Sequence, residues 1–132
     1  MKKNIDIGLL ILRFAIGALM LLHGIGKLTG ISGIEGMMSS SGLPSFVAYG
    51  VYITEIVAPL LILIGYRTRL AAVVYVFGML FAIFLAHSED IFSLNEHGGW
   101  AVELPGLYMF GALALFLTGG GKYAVSNSKD WD

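Results

Sequence analysis

Four runs of apolar residues, each close to the length that crosses a bilayer, take up most of this 132-residue chain and leave little else to fold. They run from about Ile7 to Leu28, Phe46 to Tyr66, Leu70 to His87 and Trp100 to Thr118. A helix rises 1.5 Å per residue, so roughly 20 apolar residues span a hydrocarbon core about 30 Å thick. Backbone in hydrocarbon must satisfy its own hydrogen bonds. The runs therefore predict an all-α fold, an integral membrane four-helix bundle that forms a single domain over residues 1–132. Composition agrees: 57% of residues are hydrophobic and 13% charged, against about 25% charged in soluble domains. The connections from Thr29 to Ser45, rich in Gly and Ser, and from Ser88 to Gly99, rich in acids, read as loops, and no repeat or linker marks a second domain.

Charge and cysteine content exclude whole classes of function. A net charge of -1 with eight Lys and Arg gives no basic footprint for nucleic acid. With no cysteine, the chain cannot carry out thiol–disulfide exchange or hold an iron–sulfur cluster or a thiolate zinc. Any redox role then needs a bound cofactor. With the N-terminus inside, Lys2, Lys3, Arg67, Arg69, Lys122 and Lys129 are cytoplasmic and the outer side keeps only Lys27. Both termini are thus expected on the cytoplasmic side of a multi-pass protein. A signal peptide is the competing reading of the basic start, but the run is longer than an h-region, contains Arg13 and lacks a small-x-small cleavage site.

Charge inside hydrocarbon needs a reason, because a mid-membrane cation or carboxylate costs on the order of 3 kcal/mol on insertion scales. Arg13 lies about 9 Å and Glu55 about 16 Å from the cytoplasmic ends at 1.5 Å per residue. A guanidinium bridges that difference, which predicts a buried Arg13–Glu55 ion pair between the first two helices. Pro59 has no N–H, so the Glu55 carbonyl four residues back loses its helical partner and adds a second polar group there.

A second polar level lies nearer the outer face. His23, His87 and Glu103 fall about 24, 25 and 22 Å from the inner face by the same count, and Lys27 sits one turn above His23. Tyr52 is three residues before Glu55 on the same face. His23, Lys27, Tyr52, His87 and Glu103 are the candidate polar or ligand site. Two imidazoles and a carboxylate can hydrogen-bond a quinone, ligate a haem axially or hold a non-haem metal. All come from different helices, so no spacing singles out one ligand, and no metal ion is assigned. The competing reading is interfacial histidines bonded to water and loop backbone.

Helix rotation groups the remaining signals. Arg13, Gly17, Met20, Gly24 and Lys27 share one stripe of the first helix and should face protein, with the glycines admitting a close neighbour. Gly78, Ala82 and Ala86 form a similar row on the third helix. Packing alone explains both rows. Most tyrosines, with Trp100, fall where an interfacial belt would place them. Gly119-Gly120-Gly121 before Lys122 reads as a helix stop followed by a snorkelling cation.

These residues resemble the DoxX family of small four-helix bacterial membrane proteins over nearly the whole chain. The resemblance rests on Leu12-Arg13 with Gly17, His23-Gly24 and Lys27, Gly42-Leu43-Pro44, Glu55, Gly65 with Thr68-Arg69, and Met79, Ala82 and His87. Gly119 to Tyr123 is similar to the family's ending. Relatives include a subunit of a terminal quinol oxidase and of thiosulfate:quinone oxidoreductase, and some distant relatives look like assembly factors. The resemblance implies a bacterial cytoplasmic membrane location and an accessory or quinone-interacting component of a membrane redox system, an oxidoreductase subunit without an identifiable catalytic motif. Quinone is then the leading cofactor and haem a weaker one. Expected partners are the lipid bilayer, membrane redox proteins and a second copy of the chain. The alternative is a non-catalytic scaffold that binds other membrane proteins through its small-residue faces.

Overall fold

The computed structural model describes residues 2–132 and is helical, with no β-strand among them beyond a single Leu94–Trp100 bridge. Helix α1 (Ile5–Gly26) begins where the Asn4 side chain accepts from the Ile7 N–H at 3.0 Å, with Asp6 in the first turn to complement the helix dipole. It runs on into a 3₁₀ turn, Lys27–Thr29. A short α2 (Ser32–Ser40) follows, then α3 (Ser45–Ile64), α4 (Thr68–His87) and α5 (Glu103–Thr118).

Three segments, Ile5–Thr29, Ser45–Ile64 and Thr68–His87, are long and apolar enough to cross a membrane. The fourth apolar run forms a shorter helix than expected. Trp100 is held in the bridge to Leu94 and its indole N–H donates to the Ile91 carbonyl, so α5 begins three residues later, at Glu103. Large apolar side chains such as Phe77 (67% exposed) and Phe84 (64%) cover the outside. A protein surrounded by water rarely exposes so much apolar surface; in hydrocarbon it is the expected surface.

The α1 stripe faces inward as its pattern requires, with Arg13, Gly17, Met20 and Gly24 buried. A methyl group at Gly17 would sit 2.8 Å from the Pro59 carbonyl oxygen, and one at Gly24 would collide with the Glu55 carbonyl and Ile56. The two glycines are what let α3 lie against α1. On α4 only Gly78 of the expected row makes such a contact, against Thr54; Ala82 and Ala86 are exposed. Ile16, Ile62, Tyr75, Met79 and Leu115 fill the centre, where the Tyr75 hydroxyl donates to the Ile16 carbonyl at 3.0 Å.

Two segments depart from the expected plain helix and loop. The stretch read as a Gly- and Ser-rich loop contains α2. Ile31, Ile34 and Met38 are spaced to give it one apolar face, which packs against Leu43, Val47 and Ala48. Helix α3 is irregular, opening as a 3₁₀ turn (Ser45–Tyr49) and passing through a π-helical turn (Ile53–Val57) before regular helix from Ala58 to Ile64. In the π turn the Ala58 N–H reaches back to the Ile53 carbonyl. Pro59, which cannot donate, lies just beyond it, and such turns often occur where an interior helix carries a functional group. The Lys122 N–H bonds the Asp6 carboxylate at 3.0 Å, so both ends of the described chain lie at the same end of the helices.

Candidate functional site

Arg13 and Glu55 are both buried, but they do not pair. The Arg13 guanidinium donates to the carbonyls of Ile62 (3.0 Å), Leu63 (2.9 Å) and Gly120 (3.4 Å). Helix α3 stops at Gly65 (φ +79°), and a helix leaves its last carbonyls without intrahelical donors. Arg13 supplies a donor to Leu63 and a second one to Ile62, whose carbonyl also accepts from the Gly65 N–H at 3.2 Å. The reason for the missed pair is directional: helical side chains lean toward their own N-terminus. That lean carries the guanidinium away from Glu55 and toward the end of α3.

The same lean brings Lys27 back down to Glu55. Its ammonium lies 2.6 Å from both carboxylate oxygens, with the Glu55 side chain 8% exposed and that of Lys27 33%. The pair is set by three local features. The π turn carries Glu55, Gly24 lets its backbone approach α1, and the Tyr52 hydroxyl donates to the Lys27 carbonyl at 3.1 Å.

Around this pair is a cavity of about 760 Å³ to which every helix contributes. Its walls are mostly apolar, including Met20, Met38, Val51 and Leu85, and its polar groups are Lys27, Glu55, Thr54, His23, His87 and Tyr108. Along α4 it reaches Phe77, Leu80, Phe81 and Phe84, whose faces are exposed on the outside of that helix. The His23 ring meets the edge of Tyr108 with centroids 6.1 Å apart. His87 stands at the rim, 48% exposed, with Nδ1 3.4 Å from an Asp90 carboxylate oxygen.

Of the expected site, then, His23, Lys27 and His87 line one cavity together with Glu55. Tyr52 does not line it and acts instead by holding the Lys27 backbone. Glu103 also stays outside. It is exposed in the first turn of α5, its carboxylate beside Gly99. Glu103 therefore does not join the two imidazoles, and among the described residues no three His, Asp or Glu side chains form a metal-binding group. Tyr108 and Thr54 were missed. The place of Tyr108 five residues inside an apolar helix is a signal that sets it apart from an interfacial belt.

Comparison with known proteins gives one match. The family model described as DoxX matches residues 8–88, more than half of the chain, from the first turns of α1 to the end of α4. The match takes in Arg13, His23, Lys27, Glu55 and His87. No curated protein and no solved structure matches.

Proposed function

The chain belongs to the DoxX family of membrane proteins, and from that premise we propose that it is a quinone-interacting, accessory component of a membrane redox system in the bacterial cytoplasmic membrane. All four long helices cross the bilayer as a bundle with both termini cytoplasmic. In support, Lys2, Lys3, Arg67, Arg69, Lys122 and Lys129 gather at the end that holds the tail, and Lys27 lies toward the other. Helix α5, at 16 residues, is about 6 Å short of a 30 Å core, a mismatch that local thinning or flanking residues absorb.

The observation that carries the reading is the apolar cavity, lined in part by α4, with one ion pair in its wall. A volume near 760 Å³ falls within the size of small-molecule sites, and a few polar groups in an apolar lining fix a ligand's orientation. A bound quinone supplies two-electron, two-proton chemistry. The chain's part is to bind and orient it. Lys27 would donate to a ring carbonyl, with His23, Tyr108 and the α4 phenylalanines lining the cavity around the bound molecule. Arg13, satisfied by carbonyls away from the cavity, holds the bundle.

The test is an oxidised-minus-reduced absorption spectrum of the detergent-purified protein, an organic extract of it, and a titration with a short-chain benzoquinone. Quinone in the extract or saturable binding in the titration is expected, and Lys27→Met should weaken it without unfolding the protein. A blank in both overturns the quinone reading and leaves the scaffold alternative, to be pursued by co-purification of partners.

A further inference from the structure

Lys27 and Glu55 bring one positive and one negative charge to the cavity wall, which leaves it without net charge there. An ammonium has three N–H donors and no acceptor. Two are taken by the Glu55 oxygens at 2.6 Å, and the third has no acceptor among the described residues although the side chain lines the cavity. Resting on the ligand-binding reading above, we infer that this cavity selects uncharged amphiphiles with a hydrogen-bond acceptor, such as a ring carbonyl or an ester, and rejects anionic amphiphiles such as fatty acids.

The selection follows from charge balance in a medium of low dielectric. A neutral acceptor takes the free N–H and leaves the ion pair intact. An anion adds an uncompensated negative charge or displaces Glu55, whose carboxylate is then buried without a partner. A cationic amphiphile would have to compete with Lys27 for a carboxylate whose two oxygens are both engaged. Glu55 thus works against the wrong ligand as much as for the right one. A lone Lys27 in this position would attract anionic amphiphiles instead.

The experiment measures binding of three probes to the full chain in detergent: laurate, its methyl ester and a short-chain benzoquinone. All three probes are measured at one pH, about 8, where laurate is an anion. After correction for partition into the micelle, the ester and the quinone should bind at least about tenfold more tightly than laurate. Glu55→Gln should reverse the order of laurate and ester. Laurate binding to the native chain as tightly as the ester overturns the inference, whether or not the variant folds. An unchanged order in a folded Glu55→Gln protein overturns the assignment to Glu55. Ester preferred over laurate with no quinone bound upholds the selection and sinks the quinone reading, and binding of none of the three overturns both.

Discussion

Arg13 and Lys27 occupy the same stripe of one helix and solve the problem of intramembrane charge in different ways. Arg13 spreads its charge over three carbonyl dipoles, whereas Lys27 meets a carboxylate. Different couplings follow. Arg13→Met should lower the melting temperature in detergent, since each carbonyl left unpaired costs about 1–3 kcal/mol. Glu55 lies seven residues from Ile62, about 10 Å along α3. Adding Glu55→Gln to Arg13→Met should therefore be additive to within about 0.5 kcal/mol. Lys27 and Glu55 should behave oppositely, with Lys27→Met alone costing more than Lys27→Met combined with Glu55→Gln. Coupling of Arg13 rather than Lys27 to Glu55 in these two cycles would contradict the geometry. Counting along the helices singled out Arg13 and Glu55, which are buried, but a count gives backbone heights, and the lean of each side chain decides its partner.

At the scale of elements, the site depends on how closely α1 and α3 approach. Gly24 meets the Glu55 carbonyl and Ile56 with no space for a side chain, whereas Gly8, on the same helix, has nothing near it. Gly24→Ala should push α3 away, separate Lys27 from Glu55, lower thermal stability and abolish ligand binding. Gly8→Ala should leave stability and binding near native, and equal effects of the two changes would deny that this approach matters. The glycine stripe was legible from its spacing, as were the long helices, because hydrocarbon permits so few backbone solutions. Helix α2 was not, since Gly33, Gly36 and three serines mask the apolar positions that fold it against α3. The π turn was legible only as a freed carbonyl at Glu55, because Pro59 reveals a missing donor and not how the backbone adjusts.

For the whole molecule, the two ends of the helices do different work. One holds the cavity; the other is closed by residues 119–132, which the pattern of Gly119-Gly120-Gly121 and Lys122 indicated only as a stop and a surface cation. The Ser126 N–H bonds the Gly65 carbonyl at 3.1 Å, and the Arg67 N–H bonds the Ser126 hydroxyl oxygen at 3.0 Å. Contacts between residues so far apart have no local signature. The absence of cysteine makes sidedness directly measurable. A membrane-impermeant maleimide applied to intact spheroplasts should label Ser93→Cys and spare Ser126→Cys, and the reverse result would invert the proposed orientation. The closure itself turns on Asp132. Its carboxylate accepts from the Lys129 N–H (2.9 Å), the Ser126 hydroxyl (2.9 Å) and the Ser128 N–H (3.1 Å), and pairs with Arg67 at 3.1 Å. Desolvation pushes this carboxyl up, but the hydrogen bonds and the Arg67 charge outweigh it and hold it below its ordinary range. A carboxyl depressed on folding contributes stability that is present above its unfolded pKa and lost as pH falls through the folded one. The tail should therefore stay closed at neutral pH and loosen only below about pH 4. Amide-exchange protection at Ser128 and Lys129 reports this. Protection should fall in that acid window in the native chain, and Asp132→Asn should show the loss already at neutral pH, with no further acid step. An acid step that persists in Asp132→Asn would place the titrating group elsewhere. Ligand binding at the opposite end should be unchanged in the variant, since Asp132 touches only the closing segment and Arg67.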